Sequence, residues 1–65
     1  MFDKLALKNE MALQGIGVKA LAQKAGVNYD TLVRILNEGR TPNLVTIGKL
    51  AAALHIEPKK LLKED

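Results

Sequence analysis

Glycine divides this sequence into short helical segments. Apolar residues recur every three or four positions, which is the spacing of one face of an α-helix, and the pattern is interrupted at Gly15, Gly17, Gly26 and Gly39. Glycine ends helices because it adopts the left-handed conformation at the C-terminal cap at no steric cost. The alternating apolar and polar runs that indicate strands are not found. The sequence therefore predicts an all-α fold.

The same spacing predicts five helices. Asn28 and Asn43 are suited to be N-caps of the third and fourth, because an asparagine side chain accepts a hydrogen bond from an amide of the first turn. Asp3 falls in the first turn of the first helix, where its charge favours the helix dipole, and Pro58 suits the first position of the last. We expect a loop over residues 38–42. The predicted helices cover residues 2–13, 18–25, 28–37, 44–54 and 58–63.

Each predicted helix has one apolar face, and the chain of 65 residues has room for one small domain, residues 1–65. The third helix is the most clearly two-sided, with an apolar face opposite a chemically varied one. The predicted core-facing residues are Leu7, Met11, Leu21, Ala22, Ala25, Leu32, Ile35, Leu36, Leu44, Ile47, Leu50, Ala51, Leu54, Leu61 and Leu62.

The composition argues against several kinds of chemistry. With no cysteine, the chain has no disulfide framework, thiolate zinc site or cysteine nucleophile. His55 is the single histidine and has no carboxylate cluster near it in the sequence. Tyr29 and Asp30 are adjacent and so diverge on a helix surface, which leaves no nucleophile with a base and an orienting group. We expect no enzyme activity, metal, cofactor or small-molecule ligand.

The sequence also argues against a membrane protein. No apolar stretch approaches the roughly 18 residues that a spanning helix needs. Asp3, Lys4 and Lys8 interrupt the region where a signal peptide would be apolar. We expect a complete cytoplasmic protein.

The positive charge is concentrated in the middle of the chain. The formal net charge is +3. Residues 1–16 balance, as do residues 50–65, whereas residues 17–49 carry five cationic side chains against Asp30 and Glu38. An acidic partner would therefore meet the protein in its middle segment, although an excess of this size also arises by chance.

Residues 18–37 have the layout of a helix-turn-helix, in which two short helices are joined by a turn containing glycine. Four features of the sequence resemble the Cro/CI-type, or xenobiotic-response-element, helix-turn-helix family. They are LAQKAGV at residues 21–27, TLVRIL at residues 31–36, Gly39 followed by Pro42, and the leucine-alanine series of residues 47–54. The resemblance spans about residues 15–62. It implies a five-helix, lambda-repressor-like bundle that binds double-stranded operator DNA as a transcriptional regulator, typically a repressor, and usually as a two-fold homodimer.

In such a domain the exposed face of the third helix enters the major groove. Arg34 is the strongest candidate, because a guanidinium pairs with the O6 and N7 atoms of guanine. Asn28 or Asn37 suits adenine, Asp30 suits a cytosine amino group, and Val33 suits a thymine methyl. Tyr29 is a further candidate, with a hydroxyl that reaches a phosphate. The predicted base-reading residues are Asn28, Tyr29, Asp30, Val33, Arg34 and Asn37.

Phosphates are held by cations and by backbone amides at helix N-termini. Lys19 and Arg40 are expected to matter most. The predicted phosphate-binding residues are Gly17, Val18, Lys19, Arg40, Thr41 and Asn43.

The sequence departs from the family pattern at four places, one of which is Gly39, a loop glycine one position later than is common. Gly17 and Val18 replace the Ser-Gln pair that often begins the second helix, so the side-chain cap and a phosphate contact are missing. Met11 and Leu36 stand where relatives often carry a buried Arg-Glu pair, and such an apolar replacement does not threaten the fold. His55 stands where a C-cap glycine is frequent.

Other interpretations remain open. Arg34 has a possible partner in Asp30 four residues earlier, in an exposed ion pair of little energetic weight. Ile56, Leu61 and Leu62 are candidates for a dimer surface. An antitoxin-like or regulator-binding interaction module is the alternative function, kept open by Asp30, whose charge repels phosphate in the middle of the expected reading face.

Overall fold

The computed structural model describes residues 1–63 and contains four α-helices in that range. They are α1 (Lys4–Gln14), α2 (Val18–Ala25), α3 (Tyr29–Glu38) and α4 (Leu44–Leu54), and a 3-10 helix (Pro58–Leu61) follows them. The all-α prediction is confirmed, whereas the prediction of five helices is not, because four α-helices are found in residues 1–63. The last segment is a 3-10 turn, because the chain is already extended at Leu62, which forms an antiparallel bridge with Phe2.

That bridge also moves the start of the first helix. The Asp3 amide donates to the Leu61 carbonyl at 2.7 Å, and the Lys63 amide donates to the Met1 carbonyl at 2.6 Å. Phe2 is therefore held in the pairing between the two ends of the chain, and α1 begins at Lys4 rather than at Phe2. Asp3 is the N-cap, and its carboxylate accepts from the Ala6 amide at 3.1 Å. The sequence predicted Asp3 in the first turn of the helix, but the structure places it just before that turn.

The helices surround one apolar core. α2 packs against α3 and α4, and α1 contacts α3, α4 and the 3-10 helix. Met11 and Leu36 are both buried, as expected where relatives often carry an ion pair. The buried apolar residues are Leu7, Met11, Leu21, Ala22, Leu32, Ile35, Leu36, Ile47, Leu50, Ala51, Ala53, Leu54 and Leu61.

Several residues differ from a position or role predicted for them, among them Leu62, which was predicted in the core and is 37% exposed. Leu44 is 77% exposed rather than buried, because the first turn of α4 lies at the edge of the bundle beside Met1 and Pro42. Leu61 is fully buried and Ile56 packs against the core, so neither is a free dimer surface. Glu38 belongs to the last turn of α3 and not to the loop.

Three helices end in the same local structure. After α1, the amide of Gly15 donates to Ala12 and that of Ile16 to Met11, and equivalent pairs of bonds follow α2 and α4. This is the Schellman motif, in which a residue in the left-handed conformation is followed by an apolar residue that packs back onto the helix. His55, at φ +58°, occupies the left-handed position after α4. The motif directs the chain back over the core at each of these ends.

Candidate nucleic-acid interface

The residues predicted to read bases share one side of α3. At about 100° per residue, Tyr29, Asp30, Val33, Arg34 and Asn37 fall within an arc of roughly 140° around the helix axis. Four of them are exposed and Val33 is partly buried. The opposite side carries Leu32, Ile35 and Leu36, which are all buried. The core thus fixes the orientation of α3 and leaves its polar face outward.

Asn28 serves as the N-cap of α3, as predicted. Its Oδ1 accepts from the Asp30 amide at 2.8 Å. The cap uses one of the two lone pairs of that oxygen. An adenine contact that uses both ends of the amide would share Oδ1 with the cap. Asn37 is exposed, and its side chain makes no hydrogen bond within residues 1–63.

Arg34 is exposed at one edge of this face. In the part of the chain that the structure describes, the ion pair found joins Lys59 to Glu57, with an Nζ to Oε2 distance of 3.2 Å. The pair between Arg34 and Asp30 that the sequence allowed is therefore not formed in residues 1–63. Arg34 keeps all of its hydrogen-bond donors for an external acceptor.

The N-terminus of α2 also presents unused donors. Gly17 is its N-cap and supplies no side-chain hydrogen bond, so the missing cap expected from the sequence is confirmed. The first helical hydrogen bond runs from Leu21 to Gly17, at 2.9 Å. The preceding amides, from Val18 onward, have no backbone acceptor within residues 1–63. Amides in this arrangement bind anions, because the helix dipole adds to their hydrogen bonds.

A surface groove of about 500 Å³ connects α2 with the start of α3. Lys19 and Gln23 line it from α2 and Tyr29 lines it from α3, over a floor that includes Ala22 and Val27. The structure thus brings together Lys19, predicted to hold a phosphate, and Tyr29, predicted to contact a base or phosphate. Sequence reasoning missed Gln23 as a site residue. Its position one turn after Lys19, on the exposed side of α2, was the signal that would have identified it.

The α3–α4 loop carries the remaining predicted phosphate contacts. Gly39 ends α3 at φ +68°, and Arg40 and Thr41 are exposed. Asn43 is the N-cap of α4, and its Oδ1 accepts from the Thr46 amide at 2.8 Å. Thr41 and Asn43 line a second groove, of about 620 Å³, rather than the groove that contains Lys19. The predicted phosphate-binding residues therefore form two groups, one at the start of α2 and one in the loop.

Residues 1–63 were compared with the patterns of metal sites and of membrane-spanning helices. No group of three or more histidine, cysteine or acidic residues in that range is placed to hold a metal ion. None of the helices in it has the length and apolar character needed to cross a bilayer.

All five cationic side chains of residues 17–49 are exposed.

Helices α2 and α3 form a bihelical unit with a three-residue turn. The second helix has an outward polar face, and exposed cations surround it. These features define a helix-turn-helix DNA-binding domain. Residues 6–63 match the model of the Cro/C1-type HTH DNA-binding domain. The match covers most of the chain, which therefore belongs to this family. The resemblance seen in the sequence is confirmed.

A solved structure supports the same assignment. The chain is similar to the restriction-modification controller protein C.AhdI from Aeromonas hydrophila, with a TM-score of 0.83 and 30% sequence identity. The alignment covers 91% of this chain and 89% of that one. A search of curated proteins found no significant match. Together the family and the solved structure support DNA-binding transcription regulation, and the family is not an enzymatic one.

Proposed function

We propose that this chain is a sequence-specific transcriptional repressor that reads double-stranded DNA with α3 and acts as a two-fold homodimer. The main supporting observation is the exposed, unpaired polar face of α3, which carries Arg34 and is held outward by the buried Leu32 and Ile35. A helix of ten residues is about 15 Å long. A helix of this size fits the major groove of B-DNA, which is about 12 Å wide and 8.5 Å deep.

Arg34 is the central base contact in this proposal. Its guanidinium donates to the O6 and N7 atoms of a guanine, a pair that discriminates against other bases by about 1–3 kcal/mol. Val33 contacts a thymine methyl group and Asp30 accepts from a cytosine amino group. Asn37 takes the adenine contact, because its side-chain amide makes no hydrogen bond within residues 1–63, whereas Oδ1 of Asn28 already accepts the capping bond.

Backbone contacts anchor the domain on both sides of α3. One phosphate binds the free amides at the start of α2, with Lys19 beside them and Gln23 and the Tyr29 hydroxyl within the same groove. A second phosphate binds Arg40 and Thr41 in the α3–α4 loop, together with the α4 N-terminus at Asn43. These contacts fix the register without reading sequence. Repression then requires only that the bound domain occupy the promoter.

Selection of bound oligonucleotides from a random pool, followed by fluorescence anisotropy on the selected site, tests this proposal. Arg34→Ala should lose preference at one position of each half-site, because the lost contact is to a base. Lys19→Ala and Arg40→Ala should weaken binding to all sequences and lower the slope of log K against log salt concentration by about 0.9 each. Lys60→Ala is the matched control, since it removes an exposed cation outside the interface.

Two results would count against the proposal. A random pool that yields no enriched sequence at moderate salt would remove sequence-specific recognition. An Arg34→Ala protein with the preference of the unmodified protein would remove the central contact. The similarity to a restriction-modification controller makes the promoters of restriction-modification genes the first natural sequences to assay.

A protein-interaction module is the second candidate, favoured by one observation. Asp30 is exposed in the first turn of α3, where its carboxylate repels phosphate unless a base amine meets it. Asp30→Asn distinguishes the two functions. If Asp30 reads cytosine, the variant loses preference at that base pair, whereas a module that binds a protein partner shows no base-specific change.

A further inference from the structure

The helix proposed to enter the major groove carries more negative than positive charge. Within α3, one cation, Arg34, stands against two carboxylates, Asp30 and Glu38, which leaves a balance of −1. The other four cationic side chains of residues 17–49 lie outside this helix. The charge that attracts DNA in general is therefore placed beside α3, while α3 itself repels phosphate.

The three charged side chains lie along one stripe of α3. They are four residues apart, so at about 100° per residue they fall within an arc of about 80° around the helix axis. Asp30 and Glu38 each lie about 6 Å from Arg34 along that axis. All three are exposed, and no ion pair joins Arg34 to either carboxylate in residues 1–63. Arg34 is thus flanked on both sides by negative charge that it does not neutralise by contact.

Glu38 does not stabilise the helix that carries it. It lies in the last turn of α3, where a negative charge opposes the helix dipole. Its side chain makes no hydrogen bond or ion pair in the part of the chain that the structure describes. The ammonium of Lys4 approaches this end of α3, since a Cβ atom added to Gly39 would lie 4.0 Å from its Nζ, but it forms no ion pair with Glu38. A residue that opposes local stability in this way is a candidate for a functional role.

We propose that Asp30 and Glu38 make Arg34 selective for a base edge over a phosphate, and that they thereby suppress binding to non-specific DNA. The inference rests on the proposed function, in which Arg34 reads a guanine. It adds Glu38 to the residues that determine specificity, as a residue that acts through Arg34. It also gives Asp30 a second role, beside its proposed contact with a cytosine amino group.

A guanidinium in the major groove meets two kinds of acceptor. Phosphate oxygens carry a full negative charge, whereas the O6 and N7 atoms of guanine belong to a neutral base. A carboxylate beside Arg34 repels a phosphate that Arg34 would bind, but it does not repel a guanine edge. The Debye length is about 8 Å at physiological salt, so carboxylates about 6 Å away along the helix are only partly screened. The two carboxylates therefore weaken non-specific binding more than binding to the operator, and the ratio of these affinities determines how well the operator is occupied.

The test measures the ratio of the affinities for the selected site and for a random-sequence duplex of equal length, by fluorescence anisotropy. Glu38→Gln removes the charge and keeps the size of the side chain. Glu57→Gln is the matched control, because it makes the same change in net charge at an exposed position outside the interface. We expect Glu38→Gln to bind the random duplex about threefold or more tightly at low salt. Its gain on the selected site should be smaller, so the ratio falls, whereas the control should keep the ratio of the unmodified protein.

Three further measurements separate this role from a structural one. Glu38→Asp keeps the charge and should keep the ratio. The advantage of Glu38→Gln on random DNA should shrink as the salt concentration rises, because screening removes the repulsion. In an Arg34→Ala background, Glu38→Gln should no longer change the ratio, because the carboxylate acts through the guanidinium. The melting temperature of Glu38→Gln should not fall, since the lost charge opposes the helix dipole.

Two results would overturn the inference and leave the proposed function standing, provided that the unmodified protein prefers a DNA sequence. Glu38→Gln could have the same ratio as Glu57→Gln, with or without a lower melting temperature, and a lower melting temperature would indicate a structural pairing with Lys4. Glu38→Gln could also lower the ratio equally when Arg34 is alanine, which would mean that it does not act through Arg34. An unmodified protein that prefers no sequence would refute the proposed function and this inference together.

Discussion

Replacing His55 with glycine should stabilise this domain. His55 is the one residue other than glycine with a positive φ within residues 1–63, at φ +58° and ψ +40°. It holds the same place in its Schellman motif that Gly15 and Gly26 hold in theirs, with bonds from His55 to Ala52 and from Ile56 to Ala51. The side chain is exposed and makes no hydrogen bond or ion pair in that part of the chain. The substitution therefore changes mainly the backbone energy.

The magnitude follows from two opposing backbone effects. A residue with a Cβ atom loses about 1–2 kcal/mol in the left-handed conformation, because the Cβ approaches the following carbonyl oxygen. Glycine avoids this cost but gives the unfolded chain more freedom, which offsets about 0.5–1 kcal/mol. The net gain in the free energy of unfolding for His55→Gly is about 0.5–1 kcal/mol. For a domain of this size the melting temperature should rise by about 2–8 °C.

Thermal and urea denaturation followed by circular dichroism measures this change. His55→Ala is the control, because alanine keeps the Cβ atom and the left-handed conformation while it removes the imidazole. We expect His55→Ala to be no more stable than the unmodified protein. If His55→Gly and His55→Ala have the same stability, the imidazole rather than the backbone determines the effect and the reasoning is refuted.

Three further substitutions test the core, the helix-turn-helix turn and the loop. Leu50→Ala should reduce the free energy of unfolding by about 2–5 kcal/mol, because Leu50 is fully buried at the centre of α4. A loss below about 1 kcal/mol in urea denaturation would show that the core is not packed as described. Gly26→Ala should cost about 1 kcal/mol through its φ of +70° alone, since an added Cβ meets no atom within 4 Å; an unchanged melting temperature would contradict it. Asn43→Asp should leave stability unchanged, because aspartate caps a helix as well as asparagine does. It should weaken DNA binding, because the added carboxylate repels the phosphates of the DNA. Equal anisotropy titrations of the two proteins would remove Asn43 from the phosphate contacts.

Local signals in the sequence predicted those parts of the fold that local interactions determine. The bounds of α2 agree with the prediction, and both Asn28 and Asn43 are the caps that were expected. A capping hydrogen bond joins residues two or three positions apart, so its partners are visible in the sequence. The two faces of α3 were predicted for the same reason, because helical periodicity alone separates Leu32 from Arg34.

Contacts between distant residues determined the parts that were not predicted. Phe2 lies outside α1 because it pairs with Leu62, at the other end of the chain. Leu44 has the spacing of a core residue but is exposed, since the first turn of α4 extends past the neighbouring elements. Gln23 joins the groove that contains Tyr29 only because α2 and α3 cross there. Periodicity reports which face a residue occupies, and it does not report what packs against that face.

The end of α3 shows how local stability and the proposed function compete. In the other three helices the residue after the left-handed cap is apolar and packs on the core: Ile16, Val27 or Ile56. After α3 this place is taken by Arg40, and neither its amide nor that of Gly39 makes the corresponding bonds within residues 1–63. A charged side chain does not pack back onto the helix, so the loop stays exposed where a phosphate contact is proposed. Departures from otherwise consistent local rules are expected at functional sites. Arg40→Ile should therefore restore the motif and raise stability while it weakens binding to every DNA sequence.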